Sequence, residues 1–306
     1  MTPDLLILYE HPDWFRPLFA ALDRRGIAYE AVTLAGHLFD PASADPPAPV
    51  ILNRVAMSAF LREAEHGIFY AESLLAHWAG RGARVLNGAE VVAIDSSKAR
   101  QLSLIAGLGL AVPETRVVHR AGDLAAATEG MHFPLLVKAN VGGAGAGIAR
   151  YDSLESLRSA VADRTVPESV DKMLLVQDQV PARRGSIVRV ETLGGRYLYA
   201  LEIESGSSFD LCPADACVVA PGRVAIAMRA FDPPPEMIEA AETIARAAGL
   251  DVGGVEYMID DRDGVARFYD INALSNFAAN PLDVLGWDPH EHLVDFLERA
   301  IAEARP

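Results

Sequence analysis

A glycine-rich segment that follows an apolar run constrains this chain most. Residues 133–140 are apolar apart from Lys138 and Asn140 near their end, which predicts a strand. Residues 148–151 read as a second strand, and the loop between the two is rich in glycine. Four glycines fall within six residues: Gly142, Gly143, Gly145 and Gly147. Because glycine lets successive N–H groups converge on phosphate oxygens, the segment predicts either a phosphate-covering loop beside Lys138 or a mobile hairpin with a solvated lysine.

The loop fits neither common nucleotide fingerprint. A P-loop ends in Gly-Lys-Ser/Thr, and this loop does not. A dinucleotide site places its glycines between a strand and a helix, whereas residues 148–151 look extended. A strand–loop–strand hairpin that covers phosphates is the nucleotide-binding arrangement that remains.

A second polar cluster lies near the C-terminus, in two predicted strands over residues 253–259 and 265–272. Strand alternation puts Asp270 and Asn272 on one face, and Glu256 lies among apolar neighbours in the preceding strand. If the strands pair through the Asp263-Gly264 turn, the three side chains converge. Carboxylates buried there are costly unless they are paired or bind metal, and hard oxygen ligands suit Mg²⁺ or Mn²⁺.

The competing interpretation of these strands is structural. Their polar residues could be solvated strand ends, or the carboxylates could form ion pairs with Arg267 or Arg189. Because carboxylates are unusual inside such apolar strands, the pattern favours a metal site.

The order of predicted elements indicates an α/β fold of mixed α+β type with three segments. Residues 1–94 alternate strand and helix, which predicts a small parallel sheet covered on both faces. Residues 95–171 begin with a predicted helix at 95–106, with Asp95 or Ser96 as N-cap, and contain the glycine loop. Residues 172–306 read as strands joined by short turns, with Gly194-Gly195 as a hairpin signal, followed by helices at 236–248 and 290–304.

Composition excludes several classes of partner. The chain of 306 residues has a net charge of −15, so nucleic acid and anionic membranes are not expected partners. It has no stretch of about 18 uncharged apolar residues and no signal-peptide pattern at its start. Its two cysteines, Cys212 and Cys217, are expected to stay reduced. We therefore predict a cytoplasmic location.

The chemistry-bearing segments occur in one order along the chain, and in that order they resemble the ATP-grasp superfamily. The resemblance is nearer to the RimK-type glutamate ligases than to the D-alanine–D-alanine ligases. It covers residue 96 to the end, while the first segment looks like the small domain that precedes the grasp fold. The ordered set is Lys98, Lys138 with its glycine loop, Gln177-Asp178, Arg189, Glu256 and Asp270-x-Asn272.

This resemblance implies roles for the matching positions. Lys98 and Lys138 look like the lysines that reach the ATP phosphates, and Lys138 and Arg189 like the residues at the reacting phosphoryl group. The four glycines are similar to the flexible lid. Glu256, Asp270 and Asn272 resemble the Mg²⁺ or Mn²⁺ ligands. The adenine-binding hinge corresponds to Gln177, Asp178 and Val180.

The resemblance also implies an activity. ATP would activate a carboxylate of an amino acid or peptide as an acyl phosphate, and an amine would then displace phosphate to form an amide. Two alternatives stay open, namely a kinase that phosphorylates a hydroxyl and an ATP-binding regulatory module without turnover. A homo-oligomer is open as well.

The substrate half of the chain departs from the family pattern. Ile187 stands where RimK-type enzymes have Asp, and residues 273–276 read Ala-Leu-Ser-Asn instead of Ala-Ser-Pro-Gly. The loop 206–222 has no obvious acceptor-binding residues, and its role and that of its cysteines stay open. Arg54, at the end of a predicted strand, and Asn276 are predicted substrate contacts. A surface salt bridge is the alternative for Arg54.

Overall fold

The computed structural model describes residues 3–11, 13–62, 66–143, 145–204, 227–278 and 280–305. The loop 206–222 with Cys212 and Cys217 lies outside the described residues. The strands are β1 Leu5–Tyr9, β2 Tyr29–Thr33, β3 Val50–Arg54, β4 Arg84–Leu86, β5 Thr115–Val118, β6 Leu135–Ala139, β7 Ile148–Tyr151, β8 Leu174–Asp178, β9 Ser186–Leu193, β10 Arg196–Glu204, β11 Met228–Phe231, β12 Val252–Ile259 and β13 Ala266–Asn272. The helices are α1 Arg16–Arg25, α2 Gly67–Gly80, α3 Ala89–Asp95, α4 Lys98–Gly107, α5 Leu124–Ala127, α6 Leu154–Ala162, α7 Pro235–Ala248, α8 Pro281–Val284 and α9 Pro289–Ala304. Short 3₁₀ helices cover Met57–Leu61, Ala121–Asp123 and Arg183–Gly185.

The first sheet is parallel, as its alternation of strand and helix predicted. Its strand order is β2-β1-β3-β4, and every pairing in it is parallel. β1 is apolar on both faces, and Leu5 to Leu8 are at most 2% exposed. A strand covered on both sides needs such a continuous apolar run. β3 is buried throughout and ends at Arg54, beside the 3₁₀ helix Met57–Leu61.

The second sheet carries the glycine loop. It is antiparallel with strand order β5-β8-β6-β7. β6 and β7 form the predicted strand–loop–strand hairpin, with Lys138 opposite Ile148 at its loop end. Leu124, Leu135, Leu157 and Val176 form part of a separate core on this sheet.

The third sheet holds the polar cluster. It is antiparallel with strand order β11-β10-β9-β12-β13. The Gly194-Gly195 turn joins β9 to β10 with φ values of 59° and 69°, in the left-handed region that a type I′ turn requires. β12 and β13 pair antiparallel across Asp263-Gly264, so both predicted hairpins are confirmed.

The first and third sheets share a core with the last helix. Leu5 and Val50 of the first sheet belong to one buried cluster with Leu201 of β10 and Leu297 of α9. The opposite face of the third sheet packs against α7, through residues such as Ile244. This packing brings the ends of the three sheets together around one cleft. No helix within the described ranges is long and apolar enough to cross a membrane.

The main error in the predicted elements concerns residues 95–106. The structure ends α3 at Asp95 and begins α4 at Lys98, so Asp95 and Ser96 do not cap the second helix. Ser97 is the N-cap, and its hydroxyl accepts a hydrogen bond from the Arg100 N–H. The break matters because it places Lys98 in the first turn of α4. The sequence analysis also missed β11, α3 and α8.

Candidate nucleotide and metal site

One cavity brings most of the predicted site residues together. It lies between the start of α4, the end of β6, the glycine loop, β12 and β13. Its wall includes these predicted residues: Lys98, Lys138, Gly142, Gly143, Gly145, Arg189, Glu256, Asp270, Asn272 and Asn276. The other predicted residues do not line this cavity; they are Gly147, Gln177, Asp178, Val180 and Arg54.

Glu256, Asp270 and Asn272 converge as predicted. The pairing of β12 with β13 sets Glu256 opposite Asp270. The Asn272 side-chain amide donates to Glu256 Oε1 at 3.2 Å and to Asp270 Oδ2 at 3.3 Å. The amide nitrogen therefore lies between two carboxylates, which is a position that a cation would also occupy.

This donor set fits a hard divalent cation. Turning the Asn272 amide by 180° would present its oxygen to the same point, giving three oxygen donors from two adjacent strands. Within the described ranges no group of three His, Cys, Asp or Glu side chains could hold a metal. The candidate set is therefore two carboxylates and one amide, which leaves room for the waters and phosphate oxygens that Mg²⁺ prefers.

The raised pKa of Glu256 also supports a cation at this position. Burial raises the pKa of Glu256, and the nearby charge of Asp270 raises it further. Arg189 and a hydrogen bond from Tyr269 lower it in part. A bound cation would offset the remaining repulsion between the two carboxylates.

Tyr269 is a site residue that the sequence analysis missed. Simple alternation puts it on the face opposite Asp270, but the register shifts between Glu256 and Tyr257, and Tyr269 becomes the extra residue of a β-bulge. Its hydroxyl donates to Glu256 Oε2 at 2.8 Å, and its ring lies 5.8 Å from the Lys138 Nζ. A bulge leaves no recognisable signal in this sequence.

Lys98 is held firmly at the site. Its Nζ lies 2.6 Å from Asp270 Oδ1, and its side chain is 17% exposed. Burial alone would lower the pKa of Lys98, but the charges of Asp270 and Glu256 raise it above its ordinary value. Gln101, one turn along α4, exchanges two hydrogen bonds with the backbone of Ile271 on β13, at 3.0 and 3.1 Å. The helix that carries Lys98 is thus tied directly to the strand that carries Asp270.

Lys138 lies opposite, at the end of β6. Burial, together with the nearby positive charge of Lys98, lowers its pKa to about 8, although the charges of Asp270 and Glu256 oppose the shift. Lys98 and Lys138 thus both line the cavity, together with the carboxylates of Glu256 and Asp270. Ammonium groups placed in this way can oppose the charge of a polyphosphate.

Arg189 faces the cavity but is engaged on two sides. On β9, its Nε donates to Glu191 Oε1 at 2.6 Å and its Nη1 donates to Glu256 Oε1 at 3.2 Å. The side chains of these two glutamates, Glu191 and Glu256, are 0% and 7% exposed. A Cβ at Gly254 on β12 would meet Arg189 Nε at 2.7 Å, so only glycine leaves room for the guanidinium. Among the described residues only Nη2 has no protein partner, so it is the nitrogen left to face a phosphate, and the assignment of Arg189 to the phosphates stays a prediction.

The glycine loop contacts the N-terminal segment of the chain. A Cβ at Gly143 would lie 3.0 Å from Ser58, so the loop backbone directly contacts the 3₁₀ helix Met57–Leu61. Gly142 lies beside the Lys98 side chain, where a Cβ would meet Cε at 3.8 Å. Glycine at these positions is what lets the loop lie over the cavity.

Gly147 has a structural role at the base of the loop. Its φ is +73°, and an added Cβ would lie 2.7 Å from the Ala139 Cβ. We expect Gly147→Ala to cost about 1–3 kcal/mol more than Gly36→Ala in urea unfolding, because it adds overpacking to the same backbone strain. Gly36 is a matched control, with φ +71° and no atom within 4 Å of its Cβ position. Equal losses in the two variants would show that this contact does not constrain the loop.

The predicted adenine hinge is engaged elsewhere. Gln177 is 3% exposed, and its Nε2 donates to Thr115 Oγ1 at 2.9 Å. The Asp178 carboxylate pairs with Arg262, whose Nη1 donates to Oδ1 at 3.2 Å. The Val180 N–H donates to the Asp178 carbonyl at 3.1 Å. The side chains of Gln177 and Asp178 thus hold the end of β8 in place, and the assignment of this segment to the adenine stays a prediction.

Arg54 is not on the cavity wall. It is 2% exposed, lies over the Phe15 ring at 5.5 Å, and its Nη2 donates to the Ser275 carbonyl. Burial lowers its pKa to about 10, and the charge of Glu191 opposes that effect. Arg54 therefore ties β3 to the segment after β13 and is not a surface salt bridge. Its Nε and Nη1 are buried without a partner among the described residues, and its role as a substrate contact stays a prediction. Ile187, the departure from the family's Asp, is 2% exposed and belongs to the shared core.

Other wall residues came from outside the predicted set. The N-terminal segment contributes Trp14, Ala56, Met57 and Ser58, and Asp95 and Gln101 line the cavity beside Lys98. Burial raises the pKa of Asp95 to about 7. Of these residues only Asp95 had been named in the sequence analysis, as a candidate N-cap, because motifs do not reveal contacts between distant segments.

Comparison with known proteins supports the fold. No protein-family model matches the chain. Over 173 residues it is 25% identical to the carbamoyl phosphate synthase large chain of Rubrobacter xylanophilus, a stretch covering 55% of this chain but 16% of that protein. The chain thus spans only a small part of this relative's length.

Solved structures match over nearly the whole chain. The ATP-grasp ligase PsnB in complex with a minimal precursor gives a TM-score of 0.70 at 16% identity, covering 97% of this chain and 99% of that one. The RimK domain ATP-grasp protein from Sphaerobacter thermophilus gives 0.69 at 20% identity, covering 96% and 99%. The chain has the ATP-grasp fold, so the predicted fold class is confirmed.

Proposed function

We propose that the chain is an ATP- and Mg²⁺-dependent carboxylate–amine ligase that works through an acyl phosphate. The observation that carries this proposal is the meeting of Lys98, Lys138 and Arg189 with the oxygen donors of Glu256, Asp270 and Asn272 under the glycine loop. Cations for a polyphosphate and ligands for its metal thus share one cavity. PsnB, which has the same fold, has been solved with Mg and ADP and with AMPPNP.

The proposed reaction has two steps. A substrate carboxylate oxygen attacks the γ-phosphorus of ATP, the bond to the β,γ-bridging oxygen breaks, and ADP leaves. An amine then attacks the acyl carbon, the C–O bond breaks, and phosphate and a proton are released. Lys98 and Lys138 oppose the charge on the phosphates, and Arg189 offers its Nη2 to the same region. When bound, Mg²⁺ would neutralise charge on the phosphate oxygens.

This chemistry needs no nucleophilic side chain. Positioning and charge neutralisation supply most of the acceleration in phosphoryl transfer. The carboxylate and amine partners are small molecules or peptides in this proposal, and the cytoplasm stays the predicted location.

Trapping with hydroxylamine tests the proposal. With ATP, Mg²⁺ and a panel of amino acids and short peptides, we expect hydroxylamine to yield an acyl hydroxamate together with stoichiometric ADP and phosphate. A phosphorylated hydroxyl product without hydroxamate would instead identify a kinase. ATP binding without ADP release across the panel would identify a non-catalytic module.

A further inference from the structure

The cavity has an uncharged end on the side of the N-terminal sheet. We call this end the neutral wall, and its residues are Trp14, Ala56, Met57, Ser58, Leu274 and Asn276. The charged groups of the cavity all belong to the other segments, from Asp95 onward through Asp270. The cavity is thus divided into a charged half that suits phosphates and metal and a mainly apolar half.

Two arginines, Arg62 and Arg54, lie behind the neutral wall and do not line the cavity. Arg62 donates to both oxygens of Glu10, at 2.9 and 2.5 Å, and to Ser58 Oγ at 3.1 Å. Its guanidinium also lies over the Trp14 ring at 5.1 Å. Arg54 is buried against Phe15 and donates to the Ser275 carbonyl through Nη2, while its Nε and Nη1 are buried and lack a hydrogen-bond partner among the described residues. Neither arginine lines the cavity, so the wall itself carries no charged side chain.

The wall nevertheless offers polar atoms that suit a neutral ligand. The Trp14 indole N–H and Asn276 Oδ1 are buried and lack a hydrogen-bond partner among the described residues. One is a donor and the other an acceptor. Buried polar atoms of this kind usually find a partner, which a bound substrate can supply.

We propose that this wall receives the side chain of the carboxylate substrate and selects an uncharged, mainly apolar group over an acidic one. The inference rests on the proposed function and names its substrate class. A glutamate side chain placed here would be desolvated against a wall whose own side chains carry no charge, whereas a thioether or aliphatic chain would contact Met57, Leu274 and the Trp14 ring. The reacting carboxylate would then point toward the metal ligands.

Three side chains of equal length make a direct test. We would measure ADP release with hydroxylamine for methionine, glutamine and glutamate, each as the free amino acid and as the alanyl dipeptide. We expect kcat/KM for methionine to exceed that for glutamate at least about tenfold, with glutamine between them. Glutamate turnover equal to or better than methionine turnover would overturn the inference.

Two charge-adding variants sharpen the test. Met57→Arg and, independently, Leu274→Arg should shift the methionine-to-glutamate ratio toward glutamate by at least about tenfold, because each adds a cation to the wall. Met57→Leu, which adds no charge, should keep the methionine preference. Mg·AMPPNP titration calorimetry on every variant verifies an intact nucleotide site, so two folded arginine variants with an unchanged ratio would also overturn the inference.

Failure of the proposed function has a different signature. If no carboxylate in the panel supports ADP release although Mg·AMPPNP binds, the ligase proposal is wrong and the inference falls with it. If carboxylates are turned over but glutamate is preferred, the ligase proposal stands and only the inference is wrong.

Discussion

Asp270→Ala is expected to abolish Mg²⁺-dependent ATP turnover, with kcat lower by at least about 100- to 1000-fold. Asp270 supplies one of three oxygen-bearing side chains at the candidate metal site, and its carboxylate is shared with Lys98. Loss of the Asp270 carboxylate removes a candidate metal ligand and the ion-pair partner of Lys98. The measurement is steady-state ADP release over a Mg²⁺ titration.

The fold should tolerate this change. Both side chains of the Lys98–Asp270 pair keep some exposure, 17% and 19%, so water can reach the Lys98 ammonium once the carboxylate is gone. Removing Asp270 also relieves its repulsion of Glu256. Asp261→Ala is the control, since that carboxylate is 64% exposed and only pairs with Arg183 at 3.4 Å. Normal Mg²⁺-dependent activity in Asp270→Ala would refute the metal assignment.

Arg189→Met is expected to destabilise the protein by about 3–5 kcal/mol. The change leaves Glu191, which is 0% exposed, and Glu256 as buried carboxylates without the cation that both contact. An uncompensated buried charge costs more than the ion pair itself contributes. Urea unfolding at constant m value measures the loss.

Two further variants test the cause. Arg189→Met combined with Glu191→Leu removes a charge of each sign, so the double variant should be more stable than Arg189→Met alone. Arg196→Met makes the same change at a side chain 77% exposed in its pair with Glu242, and should cost about 1 kcal/mol or less. Similar losses for Arg189→Met and Arg196→Met would contradict the account of a buried charge cluster.

Local pattern predicted the parts of this site that lie within one hairpin. The alternation of Asp270 and Asn272, the apolar setting of Glu256 and the Asp263-Gly264 turn are all local, and the structure brings these side chains together. The β6–β7 hairpin was predictable for the same reason, since glycines followed a strand that ended in a lysine. Strand order across each sheet was not, because it depends on packing between distant segments.

The remaining features depend on contacts that no local pattern encodes. The bulge that turns Tyr269 toward Glu256 is set by the register of two strands. Arg262, 84 residues after Asp178, pairs with its carboxylate. Arg54, at the end of a predicted strand, donates to the Ser275 carbonyl in the segment after β13. In both of these pairs the contact joins segments that are distant in the sequence, so local pattern could not predict it.

A crystal structure with Mn²⁺ and AMPPNP tests the central claim most directly, because Mn²⁺ scatters anomalously and takes the same oxygen ligands as Mg²⁺. The account predicts an anomalous peak within about 2.5 Å of oxygens from Glu256, Asp270 and Asn272. The polyphosphate should lie on that ion, beneath Gly142–Gly145 and within reach of Lys98 and Lys138. A metal peak away from these side chains, or a triphosphate remote from both lysines, would contradict it.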